Sequence, residues 1–308
     1  MNNLNFFQRR EFGDNVSFTF QFVKENFLHY FVNVLLLNIP IWIFVGGGLY
    51  LFAKSILSVF VALQGGGIGA IMLPLLILFL FVLIWFAYSS SITYNYYVLY
   101  MEKGAKNFSL QDLFSASLAS MMRLLVANLI LGGIIFVILI VVGILMGALG
   151  RLGTILAIPL PIVLLMYAVR LAFFQIVVIR EQKSAMEAIT KSFFLVKDHW
   201  WETFGLIVVF GIIGYLISSI IDYIFGTFGA NTLNYESILR GSFTPTMGGV
   251  IVYVVVSIIT SSLTNMFSAT AIFAQYGNLV EQKEGVGLKG KIDKLGKTTD
   301  NETDEEDF

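Results

Sequence analysis

Phe12, Val16, Phe20, Val23 and Phe27, within the stretch FGDNVSFTFQFVKENF at 12–27, are apolar at steps of four, four, three and four. The same steps return at Leu110, Phe114, Leu118, Met121 and Leu125, and again at Ala185, Ile189, Phe193, Val196 and Trp200. Polar residues travel in register with them: Asp14, Asp112 and Glu187; Ser17, Ser115 and Thr190; Thr19, Ser117 and Ser192. The first and third copies also share Val23-Lys24-Glu25 and Val196-Lys197-Asp198. Each copy runs into a long apolar stretch. A mixed register repeated at offsets of about 98 and 75 residues marks an internally repeated architecture.

Composition names the solvent. Hydrophobic residues make up 57% of the 308 and charged residues 13%, with a mean hydropathy of +0.82. Soluble domains run at about 45–50% apolar and about 25% charged, so this chain is read as a lipid-embedded protein. A net charge of −1 supplies no basic field for nucleic acid, and none is expected as a partner. With no cysteine, disulfides, thiolate metal sites and cysteine nucleophiles are excluded. The polar stretch up to Asn26 does not read as a signal peptide.

Six apolar stretches reach the roughly 20 residues that span a bilayer. They lie near Phe27–Ala53, Gly69–Leu99, Leu124–Leu149, Leu152–Ile179, Thr203–Gly226 and Gly248–Leu279. Helix is expected, because a lipid-exposed backbone must satisfy its own hydrogen bonds and the runs lack the alternation of a β-barrel. The tyrosines Tyr94, Tyr96, Tyr97 and Tyr100 end the second stretch and are expected at or outside the headgroups. Of the 19 Lys and Arg residues, 15 fall on the side of the N-terminus and only Lys54, Arg151 and Arg240 on the other, with Arg170 inside the fourth span. By the positive-inside rule both termini are cytoplasmic.

The three repeated stretches then lie on the cytoplasmic side, each ahead of an odd-numbered span. Two open on a capping box, Ser109 to Asp112 and Ser184 to Glu187, and the first has Glu11 at the cap position. The expected fold is all-α and integral to the membrane. It comprises six transmembrane helices as three parallel-repeated hairpins, each preceded by a cytoplasmic amphipathic interfacial helix. In domain terms, 1–10 is a cytoplasmic N-terminus, 11–280 the membrane domain with repeats about 11–99, 109–179 and 184–279, and 281–308 a charged, disordered tail.

Chemistry is sparse. Arg170, at membrane depth, is a contact for ligand or lipid headgroup or a structural cation. Ser261, Thr264 and Asn265 in the sixth span, with Asn128 and Gln175, form either a hydrated path or interhelical hydrogen bonds. His29 and His199 lack metal-ligand spacing, and no GxxxxGK[ST], GxSxG or HExxH occurs. No catalytic residue, cofactor or metal is therefore assigned.

Ser184-Ala185-Met186-Glu187-Ala188-Ile189-Thr190-Lys191-Ser192-Phe193, with Val196-Lys197 and Trp200-Trp201, resembles stand-alone bacterial six-span proteins of uncharacterised function. Those are similar to the membrane domain of glycerophosphodiester phosphodiesterases. Gln275-Tyr276-Gly277-Asn278-Leu279 and Glu281 are similar to that family's exit pattern. Over about residues 10–285 the resemblance implies a six-helix membrane fold in a bacterial cytoplasmic (inner) membrane. It does not carry phosphodiesterase activity, which belongs to that family's separate soluble domain. The functional expectation is a non-enzymatic inner-membrane scaffold or accessory protein. Its partners would be membrane lipid and a cytoplasmic or membrane protein. The alternative is a small-molecule or lipid transporter.

Overall fold

The computed structural model describes residues 4–63, 69–104, 107–150, 158–229 and 247–288. The glycine run at 65–67, Arg151, Arg240 and the acidic tail beyond 288 lie outside them, as does most of the 227–247 loop. Among the described residues every regular element is an α-helix. In chain order these are α1 (Phe12–Leu63), α2 (Gly69–Lys103), α3 (Leu110–Ala148), α4 (Leu160–Arg170), α5 (Phe174–Arg180), α6 (Ala185–Val196), α7 (Trp200–Gly229) and α8 (Met247–Glu284). Among the described residues four stretches are long and apolar enough to cross a membrane: Leu110–Ala148, Leu160–Arg180, Trp200–Phe225 and Val255–Glu284.

Local signals account for the helix ends. Both capping boxes form, Ser109 with Asp112 and Ser184 with Glu187. In the first copy only half a box exists, the Glu11 N–H donating to Asp14 Oδ2 at 3.3 Å. Among the described residues, a short helix separate from the long one that follows it occurs only in the third copy. There the chain turns at Lys197–His199, between α6 and α7. In the other two the amphipathic stretch and the apolar run are one helix, because no residue between Phe12 and Asn26 or between Leu110 and Leu124 stops it. Pro40 sits further along α1, where it withholds a backbone donor. Nearby, the Tyr88 hydroxyl donates to the Leu37 carbonyl at 2.8 Å.

The molecule has a closed end and an open end. At the closed end meet an N-terminal arm (4–11), the α2–α3 turn, α5, α6 and the C-terminal part of α8. Nearly all of the fully buried large side chains lie there, including Phe6, Phe22, Tyr30, Tyr96, Tyr97, Tyr100, Phe173, Phe273 and Tyr276. At the open end the helices stand apart. No residue from Leu129 to Gly150 of α3, nor from Ile158 to Ala168 of α4, is buried. Helix lengths match this division: α1, at 52 residues, is roughly 78 Å long at ~1.5 Å per residue, far beyond a ~30 Å hydrocarbon core. Tyr96, Tyr97 and Tyr100 are enclosed by protein, because α2 overshoots into the closed end.

The repeat acquires a physical meaning from burial. Position by position, Asn15, Leu113 and Ala188 are buried, as are Thr19, Ser117 and Ser192, and Phe22, Ser120 and Leu195. The inward face is thus the one carrying the small hydroxyl register. Most of the apolar stripe faces outward in the first two copies, with Phe12, Phe20, Phe27, Leu110, Phe114 and Leu118 all exposed.

The arm closes the structure. The Phe6 ring stands edge-on to Phe18, Phe22, Tyr97, Tyr100 and Phe273, at centroid distances of 5.1 to 6.0 Å. Its backbone crosses α8 at Gly277, where a Cβ would collide with the Phe6 carbonyl oxygen. The Asn278 side chain holds both backbone groups of Arg10, accepting from N–H at 2.9 Å and donating to C=O at 2.9 Å.

Truncating Phe6→Ala is expected to cost about 3–5 kcal/mol as a large-to-small core change. Gly277→Ala is expected to cost about 1–3 kcal/mol by overpacking against the arm. Gly132→Ala, where a Cβ meets nothing within 4 Å, is expected to be neutral or slightly stabilising. Denaturation of the three variants in detergent micelles checks the ranking. An unchanged Gly277→Ala midpoint would mean the arm is not seated on α8.

Candidate functional site

Polar side chains concentrate at the closed end, and each system joins different helices. Between α2 and α3, the Ser91 hydroxyl donates to the Ser117 carbonyl at 2.8 Å and lies 2.6 Å from Ser120 Oγ. Asn95 Nδ2 donates to the Ser91 carbonyl at 2.7 Å and to Ser120 Oγ at 2.6 Å. Small hydroxyls let the two backbones approach closely while pairing every group brought in. Between α2 and α8, Tyr97 OH meets Thr270 Oγ1 at 2.9 Å.

Ser192 performs a different task. The chain path from Leu160 to Arg180 is interrupted at Leu171–Phe173, where tight turns replace the α-helical ladder. Such an interruption leaves backbone groups in need of partners. The Ser192 hydroxyl donates to the Arg170 carbonyl at 2.6 Å and accepts from the Phe173 N–H at 3.2 Å. One buried side chain on α6 thereby serves both sides of the break. Beside it, the Trp200 indole N–H donates to the Met166 carbonyl at 3.3 Å. Arg170 therefore stands at the level of Ser192 and Trp200, next to the α6–α7 corner. It lies within the Leu160–Arg180 stretch, at the break between α4 and α5. Beyond it, α5 is enclosed by protein, with Phe174 and Ile176–Ile179 buried.

A line of amides ties α1, α7 and α8 together. Asn15 Nδ2 donates to Gln275 Oε1 at 2.7 Å, and Gln275 Nε2 donates to Thr203 Oγ1 at 3.4 Å. Asn278 also donates to Gln275 Oε1, at 3.3 Å, and accepts from Gln282 at 3.0 Å. Charged groups ring this line. Tyr276 OH donates to Glu181 Oε1 at 2.6 Å and accepts from Arg180 at 2.9 Å. Lys183 and Lys191 stand 3.2 and 3.5 Å from Glu181, and Lys191 also pairs with Glu284. Burial pushes the Glu181 carboxyl up, but the Tyr276 hydrogen bond and the two lysines outweigh it and hold the pKa below the ordinary value. Glu281, one hundred residues on, accepts from the Gly287 and Leu288 N–H groups.

The residues singled out from sequence do not converge on one site. Arg170 packs its guanidinium near the Tyr167 and Phe193 rings, at 5.8 and 5.9 Å from their centroids. Gln175 is half-buried on α5. Asn128 is buried on α3, and its Nδ2 has no partner among the described residues. Ser261 and Thr264 donate to carbonyls of their own helix, and Asn265 donates to Thr93 Oγ1 at 3.4 Å. Near the histidines, His29 Nδ1 lies 2.9 Å from Tyr96 OH and His199 Nδ1 3.1 Å from Glu202. Sequence reasoning missed the seat of Phe6, the Asn15–Gln275–Thr203 line and the hub at Glu181. One signal was present: Glu181-Gln182-Lys183, just after α5, repeats as Glu281-Gln282-Lys283 near the end of α8. Among the described residues no three His, Cys, Asp or Glu side chains come together as a metal site.

Over residues 104–279 the chain matches the family described as Domain of unknown function (DUF7847). The match takes in α3 to α7 and α8 as far as Leu279, more than half of the 308 residues. No curated protein and no solved structure matches the chain.

Two variants test the polar framework. Ser192→Ala strands a buried donor and acceptor and is expected to cost about 1–3 kcal/mol, while exposed Ser115→Ala stays within about 0.5 kcal/mol. Glu181 tests linkage. Its lowered folded-state value means that its stabilisation is whole above 4.5, the ordinary glutamate value, and is lost as pH falls through the lowered value beneath. The acid branch of the detergent-solubilised melting profile is expected to flatten in Glu181→Gln, and an unchanged branch would remove Glu181 from the network.

Proposed function

The chain belongs to the DUF7847 family, and we propose that it acts as a non-enzymatic, multi-pass membrane scaffold or accessory protein. The observation that carries this reading is the internal pairing of Ser261, Thr264, Asn265 and Gln275, side chains a transport path would need. Ser261 and Thr264 bond their own backbone, Asn265 bonds Thr93, and the amide line through Gln275 is closed within the bundle. What the molecule offers outward is a braced, charged end on apolar helices.

In full, the proposal is six spans in three hairpins of one orientation, with α1 and α2 joining the four apolar stretches. This is the architecture of the six-span bacterial proteins that the third repeat resembles. Both termini lie in the cytoplasm of a bacterial cell and the spans in its inner membrane. The clustering of Arg9, Arg10, Lys103, Arg180, Lys183, Lys191, Lys197 and Lys283 at the closed end supports that orientation. The outward apolar stripes of the first two copies support contact with the inner leaflet or with a membrane partner. Transport is the second reading, favoured by the unpartnered Asn128 amide buried on α3.

Because the chain has no cysteine, single introduced cysteines report topology without a background. Asn107→Cys and Asp198→Cys are expected to react with an impermeant maleimide only in inverted vesicles, and Leu149→Cys only in right-side-out cells. The reverse pattern would overturn the orientation. Function is tested separately. Proteoliposomes are expected to show no solute flux above empty vesicles, and in-membrane crosslinking is expected to give a stoichiometric adduct lost in Phe114→Glu/Leu118→Glu. Uptake abolished by Arg170→Ala at unchanged folded yield would establish the transporter instead.

A further inference from the structure

Where the closed end meets the open end, Arg170 stands outside the ion pairs formed among the described residues. Arg170 ends α4, and its guanidinium presents five N–H donors in a planar fork. Among the described residues no carboxylate lies within ion-pair distance of it and its side chain makes no hydrogen bond. Its backbone, by contrast, is fixed, since the Arg170 carbonyl accepts the Ser192 hydroxyl at 2.6 Å. Tyr167 and Phe193 flank the guanidinium, and Trp200 is bonded to α4 one turn away. The side chain is half-buried, so the fork is positioned and still reachable.

The surface next to it is apolar without interruption. Along α4, Ile162, Val163, Leu164, Leu165 and Met166 are exposed at 42 to 62%. Trp201, at 76%, is exposed at the same corner. A ligand suited to this place needs an anionic group with several acceptor oxygens, joined to a long apolar body. Arginine recognises phosphate bidentately, and tryptophan settles at the membrane–water interface beside it. A free anion would satisfy the guanidinium but leave the α4 face uncovered. A lipid without phosphate would cover the face but leave the guanidinium unpaired, and a zwitterionic one would bring its own ammonium close to the guanidinium, so an anionic phospholipid fits best.

We propose that Arg170, with Tyr167, Phe193 and the Trp200–Trp201 corner, binds the phosphate of an anionic phospholipid whose acyl chains lie along the exposed face of α4. The inference requires α4 to lie in a bilayer and is independent of whether the protein is a scaffold or a transporter. It explains why α6 is docked on the break instead of trailing free: the Ser192 bond holds the α4 terminus at a fixed height, so the fork meets headgroups at one depth. It also accounts for a charge left unpaired beside apolar surface, which protein contacts alone would disfavour.

The test is native mass spectrometry of the full chain released from nanodiscs of phosphatidylglycerol and phosphatidylcholine. Wild type is expected to retain phosphatidylglycerol preferentially, at one molecule per chain. Arg170→Gln is expected to lose that preference by roughly 10-fold or more, the usual worth of a charge-assisted bond to phosphate, and Arg170→Lys to recover part of it. Arg123→Gln removes an exposed cation elsewhere on α3 and is expected to leave retention unchanged. Folding is followed by the melting midpoint, with Ser192→Ala as the reference for a disturbed break. Equal retention by wild type and Arg170→Gln would overturn the site, as would an equal loss in Arg123→Gln, which would indicate diffuse charge attraction. Displacement of the lipid by millimolar inorganic phosphate would also overturn it, assigning the fork to a soluble anion.

Discussion

Phe6 places its ring among five others contributed by α1, α2 and α8, and the cost of that arrangement falls on a stretch of chain with no secondary structure of its own. Helices embedded in lipid gain little by hiding apolar side chains from one another, because hydrocarbon is as apolar as leucine. A dense core forms where water is the competing solvent. In this molecule the dense core is the aromatic cage at the closed end, where most of the fully buried large side chains gather. The open end, with α3 and α4 exposed along whole turns, shows the complementary case.

The polar groups obey the same logic. Amide and hydroxyl side chains inside the closed end answer the backbone irregularities that packing creates. Asn278 pairs with the backbone of Arg10 where the arm crosses α8, and Ser192 serves both sides of the interruption between α4 and α5. Glycine is needed where the arm and α8 touch, at Gly277. Gly205 similarly leaves room for the Phe12 ring, whose edge would stand 3.0 Å from a Cβ. These close approaches draw the arm and the helices together through contacts outside the apolar runs.

The family match spans the second and third copies and leaves out the arm, α1 and α2. Yet α1 packs on α8, and the arm seats on the C-terminal part of α8, so the part outside the match completes the core of the part inside it. The shared register Thr19, Ser117 and Ser192 shows how: all three hydroxyls are buried, but the first two bond their own helix and only the third reaches across to another. Equivalent positions thus carry different duties once each copy has a different neighbour.

All-helical structure and long apolar stretches were legible in composition and periodicity, because lipid demands internal backbone pairing and a helix repeats every 3.6 residues. The capping boxes were legible for the same local reason, being written within four residues. The direction of the repeated face was not: the outward apolar stripe and the inward hydroxyl stripe have the same period, and only the neighbours decide which is enclosed. The break after Arg170 was not legible either, since an apolar run of suitable length reads as one helix until Ser192, from another helix, is seen to brace it. What the sequence determined by itself is the helical periodicity and the solvent; what the tertiary structure alone decided is the seat of Phe6, the line through Gln275 and the bracing of the break at Arg170. Those depend on contacts between residues as much as 268 positions apart, which no local pattern records.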